Sequence, residues 1–450
     1  MKKELFINVF TVFIVFIVIT AIGISLEKTA FIKYISINNL GTAVPSDSPH
    51  KSYYWDLNNY AIMAINAQCI AFYPLWSWLI KNLFHPQNID EAAYYLRFSS
   101  LTLFLISIPL LFILLDRILK NQKLSLVISL IFTVNPFSIF RVIGYTESLF
   151  TFLSLLLFFL IFNEVKLINL LLISIIVILL SLTRPILIQF IFASTITSLT
   201  LIVLEKSQSF SFSYPQFIVL LKEKGNQIKL TLTIISSSLI GYSIYGIFCL
   251  ETRHNFFAPF ADQKLWNKQL GFHPGLLILP KSLLYDLWGL YFPVFLIILA
   301  YLFIINNYNK NLKLWIPKSN IWYILLIYPP LFVMIYIYKQ LTTDKDKQYS
   351  KLLKIKGYKF YLKTKNNYLF WFCSYFSLSQ AMIVFFSQDR LHSLARYIFA
   401  IPFFFISLGI ILSCLLNKKS DYKPLWFTLV ILAITLIKQW MKYGQNSWIG

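Results

Sequence analysis

Asp56 is an isolated carboxylate in an aromatic stretch running from Tyr53 to Trp78, and it is the residue best placed to do chemistry. If Asp56 starts a helix, Asn59 and Tyr60 follow at i+3 and i+4, so an acid, an amide and a phenol share one face. The stretch is too interrupted for a lipid-facing span and too aromatic for a solvated loop. It reads as an amphipathic element at the membrane boundary, where Trp and Tyr prefer to sit. An acid held there on a rigid element is what chemistry on a lipid-borne substrate requires.

Four more polar clusters stand near the ends of apolar runs: Arg141 with Tyr145 and Glu147, Arg184, Gln263 with Trp266, and Asp389-Arg390 with His392 and Arg396. Charged groups at span ends are costly to desolvate and tend to mark sites or paths. Any single arginine could instead snorkel to head groups, and Glu147 near Arg141 also reads as a structural ion pair. His254, His273 and His392 lack metal-ligand spacing. No cofactor is assigned, and no motif supports a divalent metal.

The chain around these residues has 450 residues, 58% of them hydrophobic, 18% aromatic and 13% charged, with a mean hydropathy of +0.68. A soluble domain needs far more charge, so the fold class is an all-α polytopic membrane protein. The net charge of +22 comes from lysines clustered in short segments between apolar runs. That pattern fits cytoplasmic loops against anionic lipid, and there is no basic domain to bind nucleic acid. Cys69, Cys249, Cys373 and Cys414 are widely spaced and read as neither a disulfide framework nor a zinc site.

The basic head Met1-Lys2-Lys3 predicts a cytoplasmic N-terminus and a retained first anchor over 5–25, which places Asp56 on the outer side. Apolar runs at 98–115, 124–143, 146–162, 167–183, 186–204, 230–250, 286–306, 369–386, 398–415 and 425–440 then alternate across the membrane. This puts all five polar clusters on the outer side. The run 321–338 breaks the alternation, because the Lys-rich stretch after it belongs inside. Pro329-Pro330 would make that run a re-entrant hairpin. The chain reads as one integral membrane domain over 1–450, with outer loops at 26–96 and 251–285 and a Lys-rich cytoplasmic insertion at 339–368.

Trp55-Asp56 with Tyr60, followed by Ala71-Phe72-Tyr73-Pro74-Leu75, resembles the first outer loop of the PIG-V family of mannosyltransferases. Asn135-Pro136-Phe137-Ser138-Ile139-Phe140, followed by Tyr145-Thr146-Glu147-Ser148-Leu149-Phe150, is similar to that family's second motif. Gln263 with Trp266, and Arg396-Tyr397 ahead of an apolar span containing Pro402, are similar to its later ones. The likeness runs from about residue 50 to 410; Tyr54 stands where the family has an arginine, and the insertion 339–365 is foreign to it.

The resemblance implies a GT-C fold of about 10–12 transmembrane helices in a bacterial inner membrane or the endoplasmic reticulum. Its reaction would be inverting transfer of a hexose, mannose in that family, from a polyprenyl- or dolichyl-phosphate donor to a lipid-linked or glycan acceptor. Asp56 would then be the catalytic base, with Arg141, Arg184 and Arg396 as candidates for the donor phosphate. Trp55, Asn59, Tyr60, Tyr145, Glu147, Gln263 and Trp266 would line the substrate site, though packing is an alternative role for the aromatic rings. The other readings are a transporter or flippase of polyprenyl-linked sugars, and a polymerase or ligase acting on them.

Overall fold

A computed structural model describes the chain except for residues 1, 39–54, 67–70, 164–165, 207–223, 263, 265–269, 309–321, 343–359, 365–366, 417–421, 446, 448 and 450. The described residues form helices and no strand. In chain order the main ones are α1 (Lys2–Asn38), α2 (Asp56–Asn66), α3 (Leu75–Phe84), α4 (Ile89–Leu119), α5 (Gln122–Val134), α6 (Glu147–Phe162), α7 (Leu167–Thr183) and α8 (Leu187–Lys206). There follow α9 (Gly225–Arg253), α10 (Tyr285–Tyr308), α11 (Trp322–Ile327), α12 (Pro329–Thr342), α13 (Tyr368–Ser387), α14 (Leu394–Phe399), α15 (Phe403–Leu415) and α16 (Lys423–Gly444).

Among the described residues, seven helices are long and apolar enough to cross a membrane, and four shorter apolar helices, α5, α6, α7 and α15, accompany them. The protein is therefore an integral multi-pass membrane protein. Its lipid-facing surface is visible in α1, where Phe6, Phe10, Ile14 and Ile17 recur at helical spacing and are exposed. Between helices, hydroxyl pairs add to the apolar packing: Ser174 with Ser237 at 2.7 Å, Ser198 with Thr231 at 2.6 Å, and Thr200 with Tyr375 at 2.6 Å.

Local sequence sets the joints. Asn88 caps α4 by accepting from the Glu91 amide, while the Glu91 carboxylate accepts from the amide of Gln87 just ahead of the cap, fixing the entry into the helix. Helix α4 ends with Lys120 in a left-handed conformation, and Asn121 at once caps α5. The run 124–143 is not one span. Helix α5 stops at Val134 because Pro136 has no amide to donate and the Asn135 side chain captures the amide of Phe137. Residues Pro136–Arg141 wind instead into a 3-10 turn. The run at 321–338 is also interrupted, between α11 and α12, at Tyr328 just before the two prolines.

Cys249 is disulfide-bonded, contrary to the reading from spacing, which judged only separations along the chain. Cys373 and Cys414 are free and buried, and Cys69, the remaining cysteine, lies outside the described residues.

Candidate active site

Four elements far apart in sequence meet at one point. Helix α2 begins at Asp56, as its spacing predicts, and lies against α4. Trp55, just before it, has φ 60 and is exposed, and its carbonyl accepts from the Asn58 amide at 3.2 Å. Asn59 is half-buried and Tyr60 buried, so the phenol turns inward, with its hydroxyl 3.5 Å from that of Thr146. Ser77 on α3 donates to the Tyr60 carbonyl at 2.8 Å, pinning α2 from its other side.

The turn that delivers Glu147 passes directly over α2. Gly144 has φ +96, and a Cβ there would lie 2.6 Å from Leu57 Cδ1 and 3.1 Å from the Arg97 amide nitrogen. Its carbonyl accepts from Trp76 Nε1 at 2.9 Å. Glu147 then opens α6, Arg184 directly follows α7, and Arg396 lies on the one-and-a-half-turn helix α14.

Arg396 joins them. Its Nη1 donates to Asp56 Oδ2 at 2.7 Å and its Nε to Glu147 Oε1 at 2.5 Å, bridging two carboxylates that are 91 residues apart in the chain. Arg184 Nη1 stands 3.6 Å from the same Glu147 oxygen. The Arg396 guanidinium also lies over the rings of Phe140 and Tyr145, each at 4.6 Å, and Tyr397 sits beside both arginines. Burial alone would lower the Arg396 pKa, but the Glu147 and Asp56 carboxylates more than reverse that and hold it well above its ordinary value. Burial first, then the Asp56 charge, raises the Tyr60 phenol, and burial raises Tyr145, so both stay protonated donors.

The cluster carries two negative and two positive charges. Three members are closed off, while the Asp56 side chain keeps 23% of its surface exposed. A molecule arriving from outside therefore meets the carboxylate first, with the cations behind it. Two buried atoms in the cluster lack a hydrogen bond, Glu147 Oε2 and Arg184 Nη1.

The remaining sequence candidates lie elsewhere. Arg141 is buried, donates Nη2 to the Phe132 carbonyl at 2.6 Å and is sandwiched by the Phe132 and Phe104 rings at 3.7 and 4.4 Å. Glu147 therefore makes its ion pairs with Arg396 and Arg184 rather than with its sequence neighbour Arg141. Asp389 and Arg390 form an exposed pair at 3.9 Å, separate from Arg396. Gln263 and Trp266 lie outside the described residues. Among the described residues no three His, Cys, Asp or Glu side chains group closely enough to hold a metal.

Sequence reasoning missed Gly144 and Trp76, which shape the turn, and Asp286, which holds α14. Gly144 carried a signal, a glycine just ahead of a polar pair in an apolar context.

No family model and no curated protein sequence matches the chain. Among solved structures it is similar to the archaeal oligosaccharyltransferase AglB from Archaeoglobus fulgidus, determined in complex with an inhibitory peptide and a dolichol-phosphate. The TM-score is 0.37 at 14% identity, over 94% of this chain and 55% of that one. The chain thus spans about half the length of AglB.

Proposed function

We propose that the chain is a GT-C-type membrane glycosyltransferase that moves a hexose, with mannose the sugar its motifs imply, from a polyprenyl- or dolichyl-phosphate donor to a lipid-linked or glycan acceptor. The observation that carries this reading is the junction of Asp56, Arg396, Glu147 and Arg184, one accessible carboxylate backed by two guanidiniums. Every member sits at the end of an element or on a short turn, which suits a site at the membrane boundary. A transporter would be expected to place its polar groups near mid-membrane between paired halves.

In this mechanism the acceptor hydroxyl attacks the anomeric carbon as the bond to the donor phosphate breaks, inverting that centre. Asp56 would take the hydroxyl proton while the new bond forms, because a carboxylate is far too weak a base to remove it from an alcohol beforehand. Negative charge grows on the departing phosphate oxygen, and Arg396 and Arg184 would offset it. Arg396 uses Nε and Nη1 on the carboxylates, so its Nη2 would be the donor for the phosphate. Glu147 holds both arginines in register. Arg141, clamped between phenylalanines, is given the structural role of fastening the 3-10 turn.

The test is to incubate purified protein with a radiolabelled polyprenyl-phosphate mannose and candidate acceptors, and to look for label on lipid or glycan. Transfer of one sugar per acceptor is expected, whereas transfer of a preassembled block would favour a ligase. Asp56→Asn keeps the shape and could still cap α2, but it cannot accept a proton, so transfer should fall by about 10²–10⁴. Full activity in that variant would remove Asp56 as the base.

A further inference from the structure

Arg396 rides on α14, whose six residues are too few to hold a helix in place unaided. The residue at its start, Ser393, has φ 60 and makes no side-chain cap bond; locally only the Leu394 amide is met, by the Leu391 carbonyl at 3.2 Å, and the Ala395 amide needs an acceptor from elsewhere. A different helix supplies one. Asp286, the second residue of α10, is buried, and its Oδ1 accepts from the Ala395 amide at 2.8 Å while Oδ2 accepts from Ser282 Oγ at 2.5 Å. One turn along α10, Gly289 lets the two backbones meet. A Cβ there would lie 2.9 Å from the Ala395 nitrogen and 3.0 Å from the Leu394 carbonyl carbon. The segment before α10 is tied to the same region, with the Leu391 amide donating to the Pro280 carbonyl at 3.1 Å.

A carboxylate buried this deeply is costly unless its bonds are made, and here one of those bonds goes to the residue just before Arg396. We infer that Asp286 is a positioning residue for Arg396, its carboxylate and the Gly289 contact together fixing the turn that aims the guanidinium at Asp56 and Glu147. Asp286 acts through α14 and is not itself among the reacting groups. The inference rests on the proposed function for the consequence in turnover, and on geometry alone for the clasp.

Two readouts on the full chain in detergent keep these apart. In hydrogen–deuterium exchange, Asp286→Ala should speed exchange of the amides at 394–397 by about tenfold or more, because a charge-assisted bond is lost. Exchange in α6 and α16 should stay as in the wild type. Asp286→Asn retains an oxygen that can accept from Ala395 and should restore protection. Gly289→Ala should loosen the same segment without touching the carboxylate. In sugar transfer, kcat/KM should fall in Asp286→Ala and Gly289→Ala and recover in Asp286→Asn. Unchanged exchange at 394–397 in Asp286→Ala would overturn the inference, as would equal loosening of α6 and α16. Wild-type turnover in a variant with a loosened segment would overturn it too. A wild type that transfers no sugar would refute the proposed function, and the exchange pattern would still decide the clasp.

Discussion

Glu147→Gln removes the charge that two arginines share. The carboxylate has no exposed surface, Arg396 Nε lies at 2.5 Å and Arg184 Nη1 at 3.6 Å from its Oε1. Without it, Arg184 loses its carboxylate partner and Arg396 keeps only the partly exposed Asp56. Removing one partner of a buried pair costs about 3–5 kcal/mol, because the charge left behind stays desolvated; an exposed pair would lose only about 0–1 kcal/mol. A mixed-micelle detergent titration of the unfolding equilibrium separates these values. The double variant Glu147→Gln with Arg396→Gln should lose less than the sum of the two singles, with a coupling of about 1–3 kcal/mol. A loss below about 1 kcal/mol for Glu147→Gln, with additive singles, would mean that the junction is solvated and the charge argument fails.

Gly144→Ala should cost about 1–3 kcal/mol from its left-handed backbone and the clash with Leu57, read as a lowered melting temperature together with reduced transfer. Arg396→Lys keeps the charge but loses the fork that holds Asp56 and Glu147 together, so turnover should fall several-fold; unchanged kinetics would move the phosphate role to Arg184. Accessibility labelling of introduced cysteines should find positions 56 and 389 outside and the Lys-rich insertion inside. Labelling at position 350 from the outer side would make 321–338 a full span.

Hydropathy alone located the long helices, because a span must be apolar along its whole length and no tertiary partner can override that. It failed at 124–143, where one Asn-Pro pair ends the helix inside a run that otherwise reads as a span despite Arg141, and at 398–415, which is broken between α14 and α15 at 400–402, where Pro402 caps α15. The stretch from Asp56 was legible because a lone acid among aromatics is rare. The grouping of Asp56, Glu147, Arg184 and Arg396 on one side followed from counting crossings, but their pairing did not. Spacing brings Arg141 close to Glu147, and packing instead turns Arg141 into the Phe104–Phe132 slot. The partner Glu147 does take, Arg396, lies 249 residues further on. Asp286 was invisible for a related reason: its acceptor role depends on a backbone amide, which any residue but proline at 395 would present.

The disulfide at Cys249 bears on where a donor for this site would come from. Disulfides persist in oxidising compartments and are rare in reducing ones. Tyr245, one turn before Cys249 on α9, donates its hydroxyl to the Phe72 carbonyl at 2.8 Å, and its ring lies 5.2 Å from that of Tyr73. That end of α9 is thus packed against the segment leading into α3, whose Ser77 and Trp76 brace Tyr60 and Gly144 beside Asp56. A site on that side of the membrane would be cut off from the nucleotide-activated sugars of the cytoplasm. Under the proposed reading, every hexose it transfers would have to cross the bilayer first on a lipid carrier.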